Sequence, residues 1–122
     1  MERVEEFSLA GKNFVYIDFS GLCTDQAFLE VIKIAEPVIA KYPKQSVYTI
    51  TNIANLRFDS HTKEIAGTYT AHNKPYVKHG VLIGLDGIKK MMAHAVFKLS
   101  GRTNFSFAFS KEGAIEWVLK QE

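Results

Sequence analysis

The residues best placed to do chemistry lie in one stretch, Asn55-Leu56-Arg57-Phe58-Asp59-Ser60-His61-Thr62. It falls between an apolar run, Val47 to Ile53, and a segment with helical character, Lys63 to Asn73. An aspartate, two hydroxyls and an imidazole therefore meet at a strand-to-helix corner. Two kinds of chemistry suit that order. An Asp or Ser oxygen accepts hydrogen bonds from the first amides of a helix and caps it. A serine at the same place also offers a hydroxyl to a kinase, and a phosphate there adds a charge of about −2 beside the positive end of the helix dipole. Capping by Asp59 or Ser60 is the simpler of the two. Asp59, Ser60, His61 and Thr62 are the candidate phosphorylation and partner-binding residues.

A second candidate site surrounds a glycine-rich turn. Gly80, Gly84 and Gly87 span a strand-to-helix junction, and Lys89 and Lys90 follow. Backbone amides at a helix start bind anions, so Gly84, Gly87, Lys89 and Lys90 form a candidate anion site. Their spacing matches neither the dinucleotide fingerprint nor the Walker loop. A tight turn needing positive φ accounts for the glycines more simply.

The remaining candidates are weaker. His61, His72, His79 and His94 include no pair at the i,i+4 spacing of a helical zinc site, and the single cysteine, Cys23, is distant in sequence. No metal or cofactor is expected. Cys23 has no basic neighbour in sequence, and a buried or inert thiol is the default. Phe105, Phe107 and Phe109 have the spacing of a base-stacking strip, but without a basic surround they read as core. A phosphoacceptor receiver domain would need a carboxylate after the central strand. That strand ends in Thr51-Asn52, Asp18 stands alone, and Lys111 by itself does not make the site. No pair of catalytic residues stands at a recognisable spacing, so no enzyme is expected.

The totals fit a single domain with a sizeable core. The chain has 122 residues, 47% of them apolar, with nine phenylalanines. A net charge of +2 with mixed signs argues against nucleic acid as a partner. No apolar run approaches the roughly 20 residues of a membrane span. The acidic start, Met1 to Glu6, lacks the features of a signal peptide. With one cysteine, the expectation is a cytoplasmic domain without internal disulfides.

The elements that position these residues follow from periodicity. Val4 to Leu9 and Phe14 to Phe19 read as a hairpin turning at Ala10-Gly11-Lys12-Asn13. Thr24 suits an N-cap. Phe28, Val31, Ile32, Ala35, Val38, Ile39 and Tyr42 then recur at helical spacing, with Pro37 expected to bend the helix near Lys33. Ser46 to Thr51 is a central strand with mixed alternation. Ile65, Ala66 and Tyr69 make the narrow stripe of a second helix, and His79 to Gly84 is a further strand. Ile88, Met91, Met92, Ala95, Val96 and Leu99 form an apolar helical stripe expected to face the sheet, ended by Gly101 at C′. Phe97 lies off that stripe and marks a candidate dimer face. Phe105, Phe107 and Phe109 share one face of a last strand, and Ser110 caps a closing helix of Ala114, Ile115, Trp117 and Val118. The order is ββαβαβαβα, which implies one α/β domain with a mixed four- to five-stranded sheet.

That order, the Ser20-Gly21-Leu22 corner before the first helix and the Asn-Leu-x-Phe-Asp-Ser stretch before the second resemble the STAS domain, whose best-known members are bacterial anti-sigma factor antagonists. The closing half is similar to a divergent STAS-like branch grouped with the lipid-binding Sec14 class. The segments concerned are Tyr76-Val77-Lys78, Val81 to Lys90, Phe97 to Arg102 and Ala114 to Val118. In antagonists of that family the corner reads Asp-Ser-Ser-Gly, and a partner kinase that is also the anti-sigma factor phosphorylates the first serine. The resemblance places that role on Ser60, with His61 and Thr62 departing from the pattern. It implies a non-enzymatic regulatory module with a protein partner, a kinase or anti-sigma-like regulator, or a second copy in a homodimer. The alternative is a small-ligand or lipid-binding domain with an apolar pocket between the sheet and the Ile88–Leu99 helix.

Overall fold

Val4–Leu9 (β1) and Lys12–Asp18 (β2) form the expected antiparallel hairpin, turning through Ala10 and Gly11 with φ of 52° and 78°. In this computed structural model, which describes residues 2–121, the chain then alternates between helix and strand. It runs through α1 (Asp25–Ala40), β3 (Val47–Asn52), α2 (Ser60–Asn73), β4 (Val77–Ile83), α3 (Gly87–Leu99), β5 (Phe105–Ala108) and α4 (Lys111–Leu119). The five strands lie side by side in chain order, and every pair after the hairpin is parallel. The ββαβαβαβα order and the mixed sheet agree with the sequence reading.

The order of the strands decides where the helices go. Three consecutive crossovers of one hand between adjacent parallel strands place their helices on one face. Val15, Ile17, Leu82, Phe105 and Phe107 accordingly pack with residues of α1, α2 and α3. Among the described residues α4 does not lead into a parallel strand, and it covers the opposite face. There Ala114 and Val118 bury Phe14, Tyr48, Ile50, Val81 and Ile83. A central strand covered on both faces has no polar side, which explains the mixed alternation of β3.

Caps and turns follow local chemistry. Thr24 Oγ1 accepts the Ala27 amide at 3.1 Å and starts α1, which buries Phe28, Val31, Ile32, Ala35 and Ile39 and continues through Pro37. Ser110 caps α4 through the Gly113 amide. Among the described residues, no helix is long and apolar enough to cross a membrane.

Helix α3 departs from expectation. Its buried residues are Ala93, Val96 and Phe97, while Ile88, Met91 and Leu99 are exposed. The helix is rotated by about a third of a turn from the predicted facing. The aromatic wall of β5 is the reason: the Phe97 ring stacks on Phe105 at a centroid distance of 4.2 Å. Phe97 is therefore core and not a dimer face. Phe109 also departs. Strand β5 ends at Ala108, and the Phe109 ring is fully exposed instead of continuing the Phe105–Phe107 face.

Candidate functional site

The corner before α2 is tied to the start of α1. The Arg57 amide donates to the Leu22 carbonyl, and the Gly21 amide to that of Ala54. Asp59 is the cap. Its Oδ1 accepts from the amides of His61 and Thr62, at 3.1 and 2.9 Å, and from the Thr62 hydroxyl at 2.9 Å. The two Thr62 bonds, with help from Arg57, hold the Asp59 carboxyl below the usual carboxylate range. Ser60, by contrast, is the first residue of α2, exposed and outside the cap. Arg57 reaches Asp25 at 2.6 Å and Asp59 at 3.2 Å, and the His61 imidazole also pairs with Asp25. These exposed pairs hold the two helix starts in register but contribute little stability individually. Thr62 is only 2% exposed, so of the four corner residues it alone faces inward.

The glycine-rich turn does not converge on an anion. Gly84 has φ of 83°, and a Cβ there would come within 2.7 Å of the Ala54 amide nitrogen. Its role is close passage of two backbone segments. Gly87 opens α3, but the Asp86 carboxylate accepts the Lys89 amide at 2.9 Å and occupies the position an anion would use. The Lys89 ammonium reaches the Ile53 carbonyl at 3.4 Å, and that of Lys90 lies over the Phe107 ring.

The other candidates stay apart. Cys23 is exposed, in a connection whose Phe19 is buried in the core. The His79 ring bonds the Ser106 hydroxyl at 2.7 Å beside Trp117, and His94 packs on Phe105 and Phe107. Among the described residues, no three His, Cys, Asp or Glu side chains gather as a metal site. Lys111 pairs with Glu5 and lies over Tyr16.

The alternative reading expected an apolar pocket between the sheet and the Ile88–Leu99 helix, but not a charge on its wall. Between the sheet and helices α2 and α3 lies a cavity of about 60 Å³, framed by Thr49, Tyr69, Leu82, Val96, Phe97 and Arg102. That is room for roughly four to six waters. Arg102 is the one charged side chain on its wall. It is 5% exposed, and burial pushes its pKa down to about 10. Its Nε donates to Asn104 Oδ1 at 3.4 Å, while Nη2 is the one buried side-chain nitrogen or oxygen among the described residues with no hydrogen-bond partner.

The end of α3 brings Arg102 inward. Gly101, at φ of 74°, reverses the chain, its amide bonding the Lys98 carbonyl at 3.2 Å. The Arg102 amide donates to the Phe97 carbonyl at 2.9 Å. This is a Schellman closure, in which the residue after the glycine packs back on the helix. The sequence carried a usable signal. Once Gly101 is taken as C′, residue 102 must fold back, and an arginine there is out of type. No protein-family model, curated protein or solved structure matches this chain.

Proposed function

We propose that the domain is a non-enzymatic binding module that takes a small ligand between its sheet and helices α2 and α3. The apolar cavity carries this reading. Protein interiors are close-packed, and an unfilled apolar void costs about 24 cal/mol per Å³. A ligand that fills the space gains the packing contacts that its apolar lining otherwise forgoes. Thermal denaturation of the full chain across small acids, lipids and nucleotides tests the reading, together with native mass spectrometry. A rise in melting temperature with one class supports it. A bare polypeptide mass with no shift across the panel contradicts it.

A second reading is favoured by the exposure of Ser60 at the start of α2, free of cap duty and next to Arg57 and His61 in sequence. A phosphate on Ser60 would gain from the helix dipole and from nearby cationic groups, and would change the fit of a protein partner. The resemblance to anti-sigma factor antagonists points the same way, toward a kinase or anti-sigma-like regulator. Partner capture that is unchanged by Ser60→Ala, with no phosphate on Ser60 in protein from its native cell, would sink this reading. The two readings share a helix: α2 begins at Ser60, and its Ala66, Tyr69 and Thr70 line the cavity.

A further inference from the structure

We propose that the cavity recognises a small monoanionic carboxylate, held by Arg102 and Thr49; this rests on the ligand-binding reading above. A cation 95% removed from solvent needs a counter-charge. No Asp or Glu lines the cavity, and none forms an ion pair with Arg102 among the described residues. A ligand is the remaining source of negative charge. The free Nη2 borders the cavity, and an arginine fork suits the two oxygens of a carboxylate.

Gly80 lets that nitrogen approach the β4 backbone closely. A Cβ on Gly80 would stand 3.0 Å from Thr49 Oγ1 and 3.2 Å from Arg102 Nη2. Both distances are tighter than ordinary packing, so the missing side chain lets two donors, the guanidinium and the Thr49 hydroxyl, converge beside Gly80. Gly80 has no positive φ, so backbone conformation does not explain the glycine.

Charge and size narrow the class. Arg102 supplies one positive charge, and Tyr69 stays neutral because burial raises its pKa. A phosphate dianion would keep one charge unmatched in an apolar site. The volume admits a carboxylate with a short hydrocarbon tail against Phe28, Leu82 and Val96, and it excludes a long acyl chain.

Calorimetric titration and thermal denaturation of the full chain with butyrate, its neutral analogue butyramide and inorganic phosphate, at matched ionic strength, test the proposal. Butyrate is expected to bind at least tenfold more tightly than butyramide or phosphate. Arg102→Met is expected to remove that preference. Gly80→Ala, which keeps the charge, is expected to weaken butyrate at least tenfold in a folded protein. Equal binding of butyrate and butyramide would overturn carboxylate recognition and leave the ligand-binding reading standing. Stronger binding of phosphate, or a butyrate preference that survives both substitutions, would also overturn it. No binding by any of the three would count against both.

Discussion

Arg102 meets Phe97 twice: its backbone amide bonds the Phe97 carbonyl at 2.9 Å, and its guanidinium lies 5.0 Å from the centre of the Phe97 ring. The first contact is the ordinary closure of a helix by a C′ glycine. The second replaces the apolar contact that usually accompanies it. A cation–π contact contributes about 0.5–2 kcal/mol, whereas burying an unmatched cation costs several. The balance leaves Arg102 as a destabilising residue in the ligand-free protein.

The first prediction concerns that balance. Arg102→Met keeps the stem and removes the charge, and should raise the melting temperature of the ligand-free protein by a few degrees in calorimetry. The sign with pH follows from linkage. A base whose folded pKa is lowered to about 10 carries its full penalty at all pH below that value, and sheds it as pH rises toward the ordinary arginine range. The gain should therefore be the same at pH 8 and pH 9, and larger below pH 6.5, where the variant also frees His79 of a repulsive charge. A lower melting temperature would mean that Arg102 is structural.

The corner makes a second prediction. Asp59 holds the start of α2 and Ser60 does not, so Asp59→Ala should lower the melting temperature by a few degrees while Ser60→Ala leaves it nearly unchanged. The Asp59 carboxyl is depressed in the folded state. Its contribution is thus full above the ordinary carboxylate range and lost as pH falls through the lowered folded value. Urea titrations of both variants at pH 7 and pH 3 check the pattern.

Two glycines at the start of α3, one in the loop before it and one opening the helix, should respond in opposite ways. Gly84→Ala puts a Cβ 2.7 Å from Ala54 at a φ of 83°, and should cost about 2–4 kcal/mol in chemical denaturation. Gly87→Ala meets nothing within 4 Å at the first helical position, and should stabilise by about 0.5 kcal/mol.

His79 gives the acid response of the β4–β5 edge. Burial, with Arg102 adding repulsion, lowers its folded pKa below 6.5. The unfolded chain then binds more protons, and stability falls as pH drops through 6.5 and on through the folded value. His79→Gln should flatten the fall in melting temperature between pH 7 and pH 5.

The sequence was most legible where local chemistry decides structure. Thr24, Asp59 and Ser110 each cap a helix, Gly101 ends α3, and the β-rich runs are strands. It was least legible where two apolar arcs compete on one helix. Ile88, Met91 and Leu99 make a good stripe, yet the β5 aromatics select Ala93, Val96 and Phe97. The corner residues were legible as a corner because they are contiguous. The lining of the expected pocket was not, because its walls come from two strands and three helices far apart in the chain, and its one charge looks like an ordinary loop arginine.

The most direct measurement of the central claim is an isotope-filtered NOE experiment on labelled protein with unlabelled butyrate. Contacts from the butyrate methyl to Leu82, Val96 and Phe97, lost in Arg102→Met, are the expected result. Contacts confined to exposed residues such as Met91 or Leu99, or interior contacts that persist without the Arg102 guanidinium, would contradict the account.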